Sequence, residues 1–329
     1  MSSTIKEIAQ KANVSIATVS RALNNDPKVT EKTRKRILAV SKELHYEPNI
    51  LARSFVKKKS NLLGLILPEI SDDFFTEIIK GVDEIAYAQN FYTIVASSHK
   101  YESLKDEIIT FVKNGLLSGL ILLASDLDDD LLSILSKSHL PIVLINSGKN
   151  IKRFDRIAIN DYQGAYSMTS YLIKEKKYKH LSHITGPLDN DDATLRRKGF
   201  IDACKKFGVK YNIEKANFSR ESGYNACKKL LNLKNRPQVI FAANDMMAIG
   251  CYDCINRMNL RVPDDIGIAG FDDIFVSQYL NPPLTTVQVK IEEIGEMAAE
   301  ILLKRIQSAN GVPSVAVNIP TELIIRESC

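Results

Sequence analysis

Two hydrophobic rhythms divide the chain near residue 60. In the first part, Thr4-Ile5-Lys6-Glu7 has the form of a capping box, and Ile5, Ile8, Ala9 and Ala12 follow at helical spacing, predicting a helix over about 5–12. Asn13-Val14-Ser15 breaks it. Ser15 is placed to cap a second helix through Leu23, with Val19 and Leu23 facing inward, and Asn24-Asn25-Asp26-Pro27 ends that helix. Thr30 caps a third helix to about Leu44, lined on one side by Ile37, Val40, Ser41 and Leu44, with Arg34, Lys35 and Lys42 outside. Two short helices joined by so tight a turn have the helix-turn-helix layout, in which the second helix offers its N-terminal residues to the DNA major groove. Pro48 opens a last short helical segment, about 48–57, before the polar run Lys57-Lys58-Lys59-Ser60-Asn61, which reads as a linker.

From Leu62 the rhythm changes. Short apolar runs, Leu62–Leu67, Tyr92–Ala96, Gly119–Leu123, Ile142–Ile145, Leu181–Thr185, Val239–Ala242 and Gly267–Gly270, alternate with amphipathic stretches such as Phe75, Ile78, Ile79, Val82 and Ile85. Alternation of β and α elements predicts an α/β unit with parallel sheets covered on both faces by helices.

Charge sharpens this division. Residues 1–59 hold 13 Lys+Arg against 5 Asp+Glu, whereas the other 270 hold 31 against 34. A basic head on a mildly acidic body points to a polyanionic partner for the head, because each phosphate neutralised by Lys or Arg releases condensed counterions. No apolar run approaches the roughly 18 residues of a membrane span and no signal-peptide pattern opens the chain, so a cytoplasmic protein without a membrane partner is expected. Five cysteines, none before Cys204, make a poor disulfide framework and suit a reducing compartment.

Residues 4–24 (TIKEIAQKANVSIATVSRALN), then VTEKTRKRIL, LHYEPN, LARSF and NLLGLILPEIS, resemble the LacI/GalR family of transcriptional regulators. The likeness continues through GPL, RRKGF, AANDMMAIG, GIAGFDD and NPPLTTV. It implies a repressor with a headpiece over 1–59, including a hinge helix at about 48–57, and an effector-binding, dimerising domain over 60–329. That domain would have two lobes of the periplasmic-binding-protein kind, about 60–160 plus 290–320 and 161–289 plus 321–329. By the same resemblance Ile16, Ala17 and Arg21 read bases, and Thr4, Ser15, Thr18, Asn24 and Tyr46 meet phosphates. Phe55 stands where relatives insert a leucine into the minor groove. Their chemistry agrees, since Arg21 can pair with guanine O6 and N7 while Ile16 and Ala17 can meet thymine methyls.

Open α/β lobes bind ligands beyond the carboxyl ends of their strands. The resemblance places Asp72, Phe74, Asn146, Asp161, Arg196, Phe218, Asn244 and Asp272 there; Phe75, which starts a periodic stripe, is expected in the core. Arg196 and Asp272 are expected on loops of one lobe. Carboxylate, guanidinium and amide groups can engage adjacent hydroxyls while aromatic faces cover the C–H side of a ring, so a sugar is the first choice of effector. Asp72-Asp73 stands where Asn-Pro is frequent and Asn146 where aspartate is frequent, which leaves an unusual sugar, a purine or a nucleoside open. A homodimer on a near-palindromic operator is expected, without a coiled-coil extension because Thr321–Cys329 is strand-like and lacks heptads; ligand control could run as induction or as corepression.

Competing readings are a sugar-binding protein or a sugar enzyme whose basic head is incidental. The chain has neither G-x-G-x-x-G nor a phosphate-binding G-x-x-x-x-G-K-[ST] loop, and no G-x-S-x-G elbow, so catalysis is not expected. No metal or cofactor is expected either. His180 and His183 lie three apart on a strand and point to opposite faces, and Cys251-x-x-Cys254 falls mid-helix with no second pair.

Overall fold

The structure, a computed structural model of the chain, describes residues 4–23, 26–46, 60–68, 70, 72–97, 105–106, 108–110, 112, 115–123, 127, 129–146, 153–308 and 313–329. It divides into two units, Met1–Ser60 and Asn61–Cys329. The segment about Pro48 to Lys57, with its expected hinge helix and Phe55, lies outside the described residues, as does Asn24.

In the first unit α1 (Ile5–Lys11) starts on the reciprocal bonds of the Thr4/Glu7 capping box. Helices α2 (Ile16–Leu23) and α3 (Glu31–Glu43) follow, the latter capped by Thr30. Ile8, Ala9, Ala12, Val19, Ala22, Val29 and Ile37 close into a small core, with Val40, Leu44 and Tyr46 packed on it. Ala22 is more deeply buried here than Leu23. Arg34 departs from expectation: its guanidinium is largely covered and donates to the Asp26 carbonyl at 2.8 Å, tying α3 to the turn after α2 rather than facing outward.

The second unit is built on two six-stranded sheets. The first runs in the order β11 (Ala316–Ile319), β5 (Asp155–Ile159), β4 (Ile142–Ile145), β3 (Gly119–Leu123), β1 (Leu62–Leu67), β2 (Tyr92–Ser97) and is parallel throughout. The second runs β12 (Glu322–Ile324), β10 (Thr285–Gln288), β9 (Gly267–Asp272), β8 (Val239–Ala242), β6 (His180–Thr185), β7 (Lys210–Lys215). It is parallel except at one edge, where β12 returns antiparallel to β10. Central strands such as LLGLIL, GLILL, IVLI and VIFA are buried along their whole length, as a sheet covered on both faces requires. The chain passes between the sheets after Ile159, after Gln288 and after Ile319, so three strands of connection join the lobes.

Helices α4 (Asp73–Ala88), α5 (Asp129–Lys137) and α10 (Ile291–Gln307) serve the first lobe. The second is covered by α6 (Asp161–Lys174), α7 (Asp191–Phe207), α8 (Arg220–Leu231) and α9 (Asp245–Arg257). Where α4 crosses α10, Gly81 faces Gly295 so closely that a Cβ on Gly81 would run into the Glu292 carbonyl, and one on Gly295 into that of Ile78. Backbone is the obstacle and cannot rotate away. Gly81→Ala is therefore expected to destabilise the second unit by about 1–3 kcal/mol through overpacking, despite alanine's better helix propensity. Urea unfolding checks this; an unchanged or raised midpoint would show that the helix pair spreads freely.

Candidate functional site

On α2, Val19 and Ala22 point into the head core, which leaves Ile16, Ala17 and Arg21 together on the opposite, exposed face. Ile16 is 46% exposed, an apolar side chain held in solvent at the N-terminal end of a helix that offers no other reason for it. Ser15 and Thr18 bond to each other, hydroxyl to hydroxyl at 2.8 Å, and the Ser15 oxygen also accepts from the Thr18 amide. They thus secure the start of the helix while remaining at its exposed end. Thr4 is likewise engaged in its capping box, and Tyr46 is half-buried against the head core.

In the second unit a cavity of about 270 Å³ opens between the lobes at the carboxyl ends of the strands. Phe74, Phe75, Pro68, Leu123 and Asn146 wall it from the first lobe. The second contributes Pro187, Asn190, Asp192, Arg196, Asn217, Phe218, Asn244 and Asp272. Phe75 is buried and meets Phe74 edge to face at 5.5 Å, so one ring supports the other. Asp72 also lines the cavity, where one carboxylate oxygen caps α4 by accepting from the Phe74 amide at 3.1 Å. Asn146 is held with φ +56° just past β4, and its buried Oδ1 has no partner among the described residues. Phe218, at φ +69°, lays its ring on Gly186, where any Cβ would collide with it. Asn244 spends Oδ1 on the Met247 amide and a hydrogen of Nδ2 on the Phe218 carbonyl. Its place is structural first: it caps α9 and fixes Phe218.

Arg196 organises the cleft. Contrary to expectation it sits within α7, not on a loop, and is 4% exposed. Its Nε donates to Asp161 at 2.7 Å, and its Nη1 donates to Asp272 at 3.0 Å and to the Ala243 carbonyl at 2.6 Å. Its guanidinium carbon stands 3.8 Å from the Phe271 ring centre. This leaves Nη2 without an acceptor among the described residues. Asp161, expected to touch the effector, is not part of the cavity wall; it lies behind Arg196 at the first turn of α6 and anchors it. Asp272 does line the wall, at φ +108°, a conformation rare for a side-chain-bearing residue, which the ion pair helps to hold.

Asp192 was not foreseen, although it precedes Arg196 by four residues and so shares its helical face. It lies beside Asp161 within hydrogen-bond reach. Burial raises both carboxyls. Arg196 holds Asp161 back, while Asp161 itself drives Asp192 further up, well above the usual carboxylate range. Asp272 is also raised by burial, with Arg196 opposing. Asn190 and Asn217 are further wall residues that no motif announced.

The two histidines of β6 go separate ways. His183 is fully buried, donates from Nδ1 to the Phe241 carbonyl at 2.8 Å, and is pushed down to about 4 by burial, whereas His180 bonds Asn212. All five cysteines are buried free thiols. No described helix is long and apolar enough to cross a membrane.

Residues 4–49 match the family model described as bacterial regulatory proteins, lacI family, and residues 171–329 match the periplasmic binding protein-like domain. The HTH-type transcriptional repressor PurR of Photobacterium profundum is 32% identical over 329 residues, spanning 99% of this chain and 98% of its own. A Bacillus subtilis protein named "Probable HTH-type transcriptional repressor ExuR" is 34% identical, spanning 99% and 98%. Among solved structures, a complex of the transcriptional regulator CelR with cellobiose superposes with a TM-score of 0.75 at 26% identity, over 99% of this chain and 100% of that one. The lac repressor dimer bound to operator and the anti-inducer ONPF superposes at 0.85 over 100% and 99%, and at 24% identity this likeness concerns the fold.

Proposed function

This chain belongs to the lacI family of bacterial regulatory proteins and is a DNA-binding transcriptional repressor with an effector-binding domain, and from that premise we propose how its residues do the work. Arg21, Ile16 and Ala17 read operator bases from the exposed face of α2, with Ser15, Thr18, Thr4, Asn24 and Tyr46 near the phosphates. The observation that carries this is the exposure of an apolar and a cationic side chain on one face of a helix whose other face closes the head core. Phe55 is the proposed minor-groove wedge of the segment near 48–57. Two copies bind a near-palindromic operator in the cytoplasm, since a two-fold protein matches a two-fold site. The protein acts by binding and not by turnover.

Arg21→Ala is expected to cost about 1–3 kcal/mol of operator affinity and to relax preference at one base pair more than at others. Fluorescence anisotropy against operators substituted at each position reads this. A loss equal at every position would make Arg21 a phosphate contact instead.

The effector occupies the cavity between Phe74 and Phe218, and we take it to be a sugar. Support comes from the mixture of aromatic walls with Arg196 Nη2, Asn146, Asp192 and Asp272, and from relatives solved with cellobiose and, in an Enterococcus faecium regulator, with ribose. A purine or nucleoside is the second reading, favoured by two phenylalanines contributed by opposite lobes, which suit a flat ring. Ligand bound between lobes biases their relative position and thereby operator affinity. A thermal-shift screen of sugars and nucleosides, followed by operator binding with each hit, decides between them.

A further inference from the structure

Resting on the reading of the interlobe cavity as the effector site, we infer that this cleft selects against negative charge. Its effector is an uncharged or cationic molecule that presents N–H or O–H donors to Asp192 and Asn146, with an ammonium group as the strongest partner.

The inventory of the wall carries the inference. Among the described lining residues Arg196 is the one cation, against the carboxyls of Asp72, Asp192 and Asp272. Its charge is already engaged: Asp161 and Asp272 bind it on two sides, both within ion-pair distance. What remains of it is Nη2, a donor fit for a hydroxyl or carbonyl oxygen. An anion drawn to that nitrogen would also face the carboxyls of Asp72 and Asp272, whose repulsion opposes the one attraction.

Besides that nitrogen, the wall leaves a buried acceptor over: Asn146 is 4% exposed and its Oδ1 has no partner among the described residues. Buried acceptors without donors are a cost that a donor-rich ligand removes. Asp72 and Asp192 stand on the wall from opposite lobes. Clefts lined with one sign of charge raise the local concentration of the opposite sign.

An ammonium beside Asp192 favours the charged carboxylate and so competes with any proton there. The groups facing Asp192 are Asp161 from α6, Arg196 from α7 and Asp272 from β9. Affinity for a cation therefore rises with pH as Asp192 gives up its proton, while affinity for a neutral analogue changes less.

Calorimetric titration of the full-length protein with matched sets on one ring tests this: glucose, glucosamine and glucuronate; galactose, galactosamine and galacturonate; adenosine and its 5′-monophosphate. In each set that binds, the amine or neutral member is expected to bind at least about tenfold more tightly than the anion. Asp192→Asn, with folding checked by its melting temperature, is expected to shrink the amine's advantage by about tenfold and to flatten its pH dependence. Should that variant not fold, the comparison within wild-type protein still decides. An anion that binds as well as its partners overturns the charge assignment; if Phe218→Leu weakens that binding, the cavity reading survives. Binding untouched by Phe218→Leu and Asp192→Asn overturns the cavity reading, and no binding by any member overturns both.

Discussion

Replacing Arg196 with methionine is expected to lower the unfolding free energy by about 3–5 kcal/mol and to abolish the response to effector. The guanidinium joins three elements, holding Asp161 on α6, Asp272 at the end of β9 and the carbonyl of Ala243 after β8. Methionine fills much of the space but leaves two buried carboxyls without a cation, and Asp272 without the contact that helps to hold its unusual backbone. Lysine would restore the charge and little else, since one ammonium cannot reach three acceptors in a plane or stack flat on Phe271. The instructive variant is the triple Asp161→Asn, Arg196→Met, Asp272→Asn. Removing the whole ionic network also removes the desolvation penalty of its members, so much of the lost stability should return while the effector response stays absent. Urea unfolding and effector-dependent operator binding give the two readouts. A single Arg196→Met variant with an unchanged midpoint would mean that the buried charges find water.

Operator affinity is expected to fall by about a thousandfold between roughly 50 and 200 mM salt, as for proteins neutralising 6–10 phosphates. The excess of basic residues lies within residues 1–59, and a dimer brings two such heads to one duplex. Some of that charge is committed within the head: Lys11 pairs with Glu43 at 2.6 Å, and Arg34 bonds the Asp26 carbonyl. Because the rest of the chain carries a slight negative excess, it adds nothing to this attraction. Anisotropy titrations across salt give the slope directly. A slope worth only one or two ions would remove the basic head as the DNA-binding surface.

Much of the fold was legible because its signals are local. The strands foreseen are continuous apolar runs flanked by amphipathic helices, and all but Tyr92–Ser97, which closes one edge, lie inside their sheets. Those missed sit at or next to an edge. Lys210–Lys215 and Ala316–Ile319 are the outermost strands of their sheets and carry exposed polar positions; Asp155–Ile159 and Thr285–Gln288 are short and alternate or mix polar residues. An edge strand is specified by the neighbour it pairs with, not by its own hydrophobicity. The antiparallel return of Glu322–Ile324 is of the same kind.

The sequence by itself determined the capping box at Thr4, the exposed face of α2, the concentration of positive charge before residue 60 and the family to which the chain belongs. Each of these depends on residues close together in the chain. Tertiary structure alone decided the chemistry of the cleft. Asp161, Arg196 and Asp272 lie 35 and 76 residues apart, and only folding shows that Asp161 stands behind the guanidinium while Asp192 takes its place on the wall. Whether a carboxylate meets a ligand or an arginine depends on which side of a helix faces the cavity and on what else is buried there, and burial is a property of the packed lobes together. The upward shifts of Asp161 and Asp192 arise in the same way, because burial and a neighbouring carboxyl act on them only once packing brings the two together.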